Sequence, residues 1–144
     1  MSIVIRPFRM SDYDEAFAIW QSTDGMGLDL DGPDSRAGVR SYLRRNPGMS
    51  FMASDGRSLV GAVLCGHDGR RGYLHHLAVL PAFRSKGIGR KPVASCLRAL
   101  AANGTGRCNI SILPGNAAGT RFWKAMGWNQ FPGLTLMYMQ TSGR

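Results

Sequence analysis

Residues 2–6 place Ile3 and Ile5 on one side of the chain, and this period of two predicts a strand. Two segments with apolar residues at helical spacing follow, which predict helices over residues 11–21 and 34–46. The stretch between them, residues 22–33, contains three glycines and no clear period, so an irregular loop is predicted there.

The second half of the chain alternates between short strands and helices. Strands at 49–54, 58–67 and 72–80 are predicted to form a meander, because the Asp-Gly pairs at 55–56 and 68–69 are hairpin turn signals. A helix over 87–102, a strand over 107–113, a helix over 116–126 and a strand over 134–140 follow. The order β-α-α-β-β-β-α-β-α-β predicts a mixed α/β fold.

Composition adds two unusual quantities to this picture. The length of 144 residues predicts one domain, residues 1–144. Glycine occupies 19 positions, near twice the usual share of about 7%. Eighteen Lys and Arg against nine Asp and Glu give a net charge of +9, so an anionic partner is expected.

Charge and cysteine spacing also indicate what the chain lacks. No uncharged run approaches the roughly 20 residues that cross a bilayer, and Arg6 and Arg9 interrupt the apolar start, so neither a membrane span nor a signal peptide is predicted. Cys65, Cys96 and Cys108 are far apart and form no CxxC spacing, so no metal site is predicted. We therefore expect a cytoplasmic protein with no membrane partner and with small, buried cysteines.

The most specific segment joins the strand that ends at Leu80 to the helix that follows. Arg84-x-x-Gly87-x-Gly89 opens that helix, where free N–H groups and the helix dipole favour phosphate. Four cations lie within eight positions there: Arg84, Lys86, Arg90 and Lys91. Neither GxGxxG nor GxxxxGK[ST] occurs, which disfavours a dinucleotide fold and a P-loop. The alternative interpretation is an ordinary glycine-containing connection with solvated charges.

Two segments together resemble the GNAT superfamily of acyl-CoA-dependent N-acyltransferases, in its small bacterial single-domain form. The Arg84-x-x-Gly87-x-Gly89 loop is similar to the family's loop for the acyl-CoA pyrophosphate. A second block resembles another family segment: Asn116-x-x-Gly119-x-x-Phe122-Trp123-x-x-Met126-Gly127-Trp128. The order of elements matches over nearly the whole chain. The resemblance implies a central mixed, largely antiparallel sheet of about six to seven strands flanked by about four helices.

The resemblance also implies an N-acetyltransferase that moves an acetyl group from acetyl-CoA to a primary amine, directly, in a ternary complex. The backbone N–H groups that it assigns to the pyrophosphate are those of Ser85, Lys86, Gly87, Ile88 and Gly89, flanked by Arg84 and Arg90. It assigns pantetheine binding to the backbones of Leu77 and Val79, and polarisation of the thioester carbonyl to an N–H near Ala78 and Val79. Asn116 and Trp123 complete the implied acetyl-CoA site.

The general acid is uncertain in this sequence because Trp123 stands where the family usually has tyrosine, and an indole N–H cannot transfer a proton near pH 7. Trp123 then serves only as a pocket wall, or Tyr73 or Tyr138 supplies the proton instead. We favour a third solution, in which the CoA thiolate leaves without an acid, because a thiol of pKa about 8.5 is a tolerable leaving group.

Two adjacent histidines precede the Leu77–Val79 segment and are candidate bases. Successive strand residues point to opposite faces, so His75 shares the side of Leu77 unless a bulge intervenes, and we predict His75 as the base. A family glutamate is replaced by Tyr73. The alternative is that both histidines are structural.

Four of the nine acidic residues fall within eleven positions: Asp24, Asp29, Asp31 and Asp34. In the family this segment borders the acceptor, so carboxylates there would attract a cationic amine. The alternative is that they are ordinary turn residues, with Asp34 as the N-cap of the second helix. The acceptor itself is not predicted.

Two other functions remain as alternatives. One is a sensor or interaction domain of the same fold that binds acyl-CoA without effective catalysis. The other is a nucleic-acid-binding domain, which the charge permits but which no basic helix or aromatic-rich sheet motif supports, so no nucleic-acid partner is predicted. A homodimer is possible on the resemblance.

Overall fold

The computed structural model describes residues 2–142, and the chain divides into two compact units, Met1–Ser111 and Ile112–Arg144. The first unit holds five strands and three α-helices: β1 (Val4–Pro7), α1 (Tyr13–Gln21), α2 (Arg36–Arg45), β2 (Phe51–Ser54), β3 (Leu59–His67), β4 (Gly72–Val79), α3 (Arg90–Ala102) and β5 (Cys108–Asn109). Short 3-10 turns lie at Met10–Asp12 and Pro81–Phe83. The second unit holds α4 (Ala117–Ala125).

The five strands form one sheet in chain order, antiparallel from β1 to β4 and parallel between β4 and β5. The two Asp-Gly pairs lie at the ends of the predicted meander, where Asp55 and Asp68 each accept hydrogen bonds from backbone N–H groups two and three residues ahead. The pairing of β4 with β5 covers only Gly72 with Cys108 and Tyr73 with Asn109. Beyond Tyr73, that edge of β4 has no strand neighbour in the described residues.

The core lies on both faces of β3, which is buried from Leu59 to Gly66. On one face, α1 contributes Trp20, fully buried in a cluster with Met52 and Ala62. On the other face, Val60 packs with Ile88 from the segment before α3. Burial of both faces explains why β3 reads as a continuous apolar run instead of an alternating one.

The predicted mixed α/β class and the order of elements through α4 are confirmed. The sheet has five strands where six to seven were expected, because residues 134–140 form no strand. The side chains of this segment are highly exposed, and its backbone pairs with none of the strands formed by residues 2–142. A strand forms only where a neighbouring strand can hydrogen-bond to its N–H and C=O groups, and the apolar pattern of the segment does not show whether such a neighbour is present.

Two helix boundaries differ from those predicted, and both differences concern the candidate site. The helix α3 begins at Arg90 instead of residue 87, so Gly87 and Gly89 lie before it. Pro92 then falls in the first turn, where its missing N–H would have had no helical partner. The helix α2 is capped by Ser35, whose side chain accepts from the Gly38 N–H at 3.0 Å, so Asp34 is not the cap.

None of the helices formed by residues 2–142 is long and apolar enough to cross a membrane.

Candidate active site

A β-bulge in β4 breaks the alternation that the sequence analysis used to orient the two histidines. Ala62 pairs with Ala78 and Leu64 pairs with His75, so β4 carries one extra residue against β3. His76 lies within the bulge and has a φ of +55°, a left-handed conformation that is uncommon for residues other than glycine. Bulges of this kind re-aim side chains next to active sites, and here the bulge re-aims His76.

The re-aimed side chain of His76 meets Asp34 from the loop before α2. His76 Nε2 lies 2.7 Å from Asp34 Oδ1, and the two side chains are only 16% and 7% exposed. An ionised carboxylate accepts hydrogen bonds and cannot donate them, so Nε2 carries the proton and Nδ1 carries the lone pair in the neutral ring. Among the residues that the structure describes, nothing hydrogen-bonds to His76 Nδ1.

Asp34 is held by contacts from both sides. Its second oxygen, Oδ2, accepts from the Asp29 N–H at 2.7 Å. Its own N–H donates to the Asp29 carbonyl at 3.1 Å. Its carbonyl accepts from the Tyr13 hydroxyl, which comes from α1, at 2.7 Å. The carboxylate therefore has one position fixed by the loop and by α1, and it fixes the His76 ring in turn.

Trp20 closes the other side of the pair. Its ring centroid lies 5.4 Å from that of His76, at an angle of 56°. Trp20 is fully buried, and its indole N–H is a buried donor that finds no acceptor among the described residues. An unpaired buried donor of this kind is costly, which is typical of functional sites.

His75, the predicted base, lies among aromatic rings instead of carboxylates. Its ring is 5.8 Å from that of Tyr42 and 6.5 Å from that of Tyr73, measured between centroids. Loss of water on these sides lowers the pKa of His75, and the neighbouring His76 lowers it further, against a smaller opposing effect of Asp34. Both of the larger effects disfavour the charged form of the His75 ring.

Tyr73 lies at the start of β4, and its hydroxyl is 3.5 Å from Asp68 Oδ2 in the hairpin turn. Five positions separate it from Ala78, which is roughly 16 Å along a strand. The structure thus places Tyr73 next to His75 but far from the predicted oxyanion N–H.

The segment between β4 and α3 presents a row of free backbone donors. The N–H groups of residues 85–89 have no hydrogen-bond partner anywhere in residues 2–142. Ser85 and Gly87 have φ values of +63° and +73°, and left-handed residues in a loop help successive N–H groups converge into an anion-binding concavity. Ile88, in the middle of the row, is buried against Val60 and anchors the segment to the core.

This concavity fits a pyrophosphate group. A side chain built on Gly87 would meet no atom within 4 Å, so the space outside the row is open. The cations at Arg84, Lys86, Arg90 and Lys91 are all exposed around it. Free N–H groups and cations at a helix start are the features that favour phosphate, so this segment stays the predicted pyrophosphate site.

Leu77, Ala78 and Val79 lie beside the row, on the part of β4 that has no strand neighbour on the β5 side. The Val79 carbonyl is not free, because Arg84 Nε donates to it at 2.8 Å. Use of that carbonyl by pantetheine therefore requires the Arg84 side chain to turn away. The pairing of β4 with β5 ends at Tyr73, before this part of β4.

Asp24, Asp29 and Asp31, the predicted acceptor residues, are exposed on the loop that precedes α2. The turn at 29–34 is closed by the bond from the Asp34 N–H to the Asp29 carbonyl. The fourth aspartate, Asp34, is buried on His76 instead. This pair was not predicted from the sequence, because its members are 42 positions apart and meet only through the bulge.

Asn116, Trp123 and Tyr138 belong to the second unit, and their roles stay predictions. Asn116 is the N-cap of α4, where its side chain accepts from the Gly119 N–H at 2.9 Å. The Trp123 ring packs edge-on between Phe122 and Trp128, at centroid distances of 5.3 and 5.0 Å. Tyr138 is 89% exposed.

Cys65 and Cys96 are buried free thiols, and Cys108 is half-buried. A hydrogen bond with the Cys65 thiol, together with burial, raises the pKa of the Cys96 thiol, and burial raises the pKa of the Cys108 thiol. The thiols of Cys96 and Cys108 are therefore neutral. Groups of His, Cys, Asp and Glu that could hold a metal ion are absent from the described part of the chain.

Comparison with known proteins matches this architecture to one family. The sequence model of the Acetyltransferase (GNAT) family matches residues 12–128. An acetyltransferase of Yersinia enterocolitica is 30% identical over 114 residues, which is 79% of each chain. An acetyltransferase of Pectobacterium atrosepticum is 26% identical over 132 residues, 92% of each chain.

Solved structures show the same fold. The structure of AAC(6')-Iy in complex with the bisubstrate analogue CoA-S-monomethyl-acetylneamine has a TM-score of 0.77 at 15% identity, covering 99% of this chain and 100% of that one. PaiA N-acetyltransferase from Thermoplasma acidophilum, in complex with coenzyme A, has a TM-score of 0.74 at 18% identity, covering 88% of this chain and 89% of that one. The chain therefore belongs to the acetyltransferase (GNAT) family, and it is an acyltransferase with acetyl-CoA as its co-substrate, as the sequence predicted.

Proposed function

We propose that this chain moves the acetyl group of acetyl-CoA to a primary amine of a cationic acceptor, by direct transfer in a ternary complex. The observation that carries the proposal is the row of unpaired N–H groups at 85–89, ringed by exposed cations at the start of α3. Backbone donors and a helix start bind phosphate without any specific side chain. The donor is therefore recognised through its pyrophosphate.

The open edge of β4 positions the thioester. Leu77 and Val79 offer backbone groups to the pantetheine arm, and an N–H near Ala78 and Val79 polarises the acetyl carbonyl. One such donor is worth about 10²–10³ in rate where it has been removed from other enzymes. Arg84, which now bonds to the Val79 carbonyl, turns outward to the phosphates when the donor binds.

The leaving sulfur needs no general acid in this proposal. A thiol of pKa about 8.5 leaves as the thiolate at neutral pH without a proton donor. Tyr73 is held at the hairpin turn by Asp68, and the indole of Trp123 is not a proton donor at this pH. Tyr138 is the remaining acid candidate of the chain, and replacing it by Phe tests the proposal.

The acceptor is a cation because its side of the site carries the exposed carboxylates. Asp24, Asp29 and Asp31 lie on one loop, in a chain whose net charge is +9. A local negative patch on a basic protein attracts amines and repels anions. The analogue bound by AAC(6')-Iy joins CoA to acetylneamine, which agrees with an amine acceptor in this fold.

The test is release of free CoA thiol from acetyl-CoA in the presence of an amine panel: spermidine, an amino sugar, neamine, a lysine peptide and free amino acids. We expect release with at least one cationic amine and none with neutral alcohols of similar size. Silence of the whole panel in the wild-type protein would contradict an amine acceptor.

Removing single carboxylates from the loop of residues 22–33, here called the acidic loop, tests whether that loop binds the amine. Asp24→Asn and Asp29→Asn should each raise the KM of the amine about 1.4-fold to fivefold, the size of an exposed charge interaction of about 0.2–1 kcal/mol, and leave the KM of acetyl-CoA unchanged. Glu15→Gln, which removes an exposed carboxylate from α1, is the matched control. Equal effects of all three variants would mean that the loop does not contact the acceptor.

A further inference from the structure

His76 and Asp34 form a buried pair that the proposed function does not yet use. The two side chains are 16% and 7% exposed and share a hydrogen bond of 2.7 Å. A buried ionisable pair is weak evidence for stability, because the cost of removing both groups from water offsets their attraction. His76 also sits at a φ of +55°, and strained conformations of this kind cost roughly 1–3 kcal/mol and cluster at functional sites.

We propose that His76, held by Asp34, takes the proton from the ammonium group of the acceptor. This inference rests on the proposed function and assigns to His76 the role that the sequence predicted for His75. Asp34 is the positioning residue, since it contacts His76 and not the reacting atoms. The chemical class that the site takes is a primary ammonium ion.

The position of His76 along β4 suits this role. His76 lies at the bulge of β4, two residues before Ala78 and three before Val79, near which the acetyl carbonyl is proposed to bind. Tyr73, at the other end of β4, has no such position.

The hydrogen bonds decide which ring nitrogen accepts the proton. The carboxylate of Asp34 keeps the proton of the neutral ring on Nε2, so the lone pair is on Nδ1, which meets no partner among residues 2–142. When Nδ1 takes the ammonium proton, the charged ring lies against the carboxylate, which stabilises it. The same division of labour between a histidine and an aspartate is used in hydrolytic triads.

The proposed step balances in atoms and charge. His76 Nδ1 takes one proton from the ammonium nitrogen, and the freed lone pair forms the bond to the acetyl carbonyl carbon as the carbon–sulfur bond breaks. The sulfur leaves as the thiolate with the electron pair of the broken carbon–sulfur bond, the second proton lost by the nitrogen passes to solvent, and His76 returns its proton to solvent.

The groups around His76 matter for any pH test. Asp34 faces it from the loop, His75 from its own strand, and Trp20 from α1, while the Tyr13 hydroxyl contacts Asp34. Of these, Asp34 is the one whose hydrogen bond selects a ring nitrogen. His75 has tyrosine rings as its other neighbours.

The first experiment compares His76→Gln with the wild type from pH 6.5 to 9.5, using whichever panel amine the wild type acetylates. We expect kcat to fall about 100-fold at pH 7, within the usual range for loss of a general base, and the KM of acetyl-CoA to change less than twofold. The loss should shrink as pH rises, because the amine then sheds its own proton. His67→Gln, in a hairpin turn, is the control and should retain full activity.

The second measurement reads the ring directly and does not need turnover. Nitrogen-15 NMR of His76 in the wild-type protein should show a proton on Nε2 and none on Nδ1 in the neutral ring, and Asp34→Asn should weaken that preference. Asp34→Asn should also lower kcat at least tenfold without changing acetyl-CoA binding. A neutral ring protonated on Nδ1 would overturn the proposal even if His76→Gln does not fold.

The outcomes separate this inference from the proposed function. Activity of His76→Gln within threefold of wild type at pH 7, or a loss that is the same at every pH, would overturn the inference alone. Loss confined to His75→Gln would return the base to His75. A wild-type protein that binds acetyl-CoA and acetylates no amine would overturn the proposed function and this inference with it.

Discussion

Ser85 shows how a single residue can carry the strain of a binding loop. Its φ of +63° is left-handed, its side chain is exposed, and no hydrogen bond holds it there in the described residues. For residues with a β carbon this conformation costs roughly 1–2 kcal/mol. The strain is retained because it turns the N–H row of 85–89 outward.

Replacement of Ser85 by glycine should relieve that strain. Because glycine adopts left-handed angles freely, we expect Ser85→Gly to be neutral or to stabilise the protein by up to about 1 kcal/mol in urea denaturation. Ser58→Gly, in the exposed turn before β3 and without positive φ, should instead destabilise it by about 0.4–1 kcal/mol, because glycine gives the unfolded chain more conformations. Equal destabilisation by both changes would show that Ser85 is not strained.

The ion pair of Arg6 and Asp12 makes a second prediction at this scale. The Arg6 guanidinium donates two hydrogen bonds of 2.8 Å to the Asp12 carboxylate, and the backbone N–H of Arg9 donates a third to it at 2.9 Å. Burial alone would raise the pKa of Asp12, but the combined hydrogen bonds and charge of Arg6 and Arg9 outweigh it and lower the pKa.

A lowered carboxyl pKa contributes stability above the pH at which free aspartate titrates, about 4, and that contribution is lost as pH falls through the folded value. Arg6→Ala should therefore reduce the unfolding free energy by about 1–3 kcal/mol at pH 7, and the difference from wild type should shrink toward pH 2. Denaturation curves at both pH values measure this. A difference that grows on acidification would contradict the assignment.

The pairing of His76 with Asp34 was not predictable from these residues alone. Strict alternation puts His75 on the side of Leu77, and the extra residue in β4 breaks that alternation. A bulge depends on the register of two strands, which single residues do not encode. The N–H row was predictable because its glycines and cations are contiguous in the sequence.

At the scale of elements, the contact between α2 and the acidic loop positions Asp34. A side chain built on Gly38 would lie 2.5 Å from the Gly32 carbonyl oxygen and 2.6 Å from that of Pro33. The Ser35 side chain joins the same two segments, accepting from Gly38 and donating to Gly32. The helix thus begins with its backbone directly against the loop.

Gly38→Ala should therefore destabilise the protein, although alanine ordinarily favours a helix over glycine by about 1 kcal/mol. We expect a loss of about 1–3 kcal/mol, because the new methyl group meets backbone atoms that cannot turn aside. It should also lower kcat by displacing Asp34. Gly106→Ala, where a side chain meets nothing within 4 Å, is the control, and a stabilising Gly38→Ala would refute the packing.

Element boundaries were predictable where local chemistry sets them. The hairpins follow the Asp-Gly pairs, and the end of α3 lies close to Asn103 as predicted. Its start was misplaced by three residues, because helical spacing of apolar residues does not reveal that residues 87–89 remain outside the helix. The strand predicted over residues 134–140 is absent, because a run of apolar residues does not reveal whether a neighbouring strand is available for pairing.

At the scale of the whole molecule, whose net charge is +9, two groups of charged residues lie at separate places on the surface. Exposed cations surround the N–H row before α3, and exposed aspartates occupy the loop before α2. Salt should therefore weaken binding of acetyl-CoA, since its phosphates meet surface cations. In the proposed function, the exposed cations bind the phosphates of acetyl-CoA and the exposed aspartates attract the amine acceptor.

The most direct test of this account is thermal unfolding with acetyl-CoA. The wild-type protein should gain about 2.7 kcal/mol at one hundred times the Kd. Gly87→Val should abolish that gain by placing a side chain in front of the N–H row, whereas Gly69→Val, equally left-handed and exposed but in a hairpin turn, should retain it. No stabilisation of the wild type by millimolar acetyl-CoA, or an undiminished gain in Gly87→Val, would contradict the account.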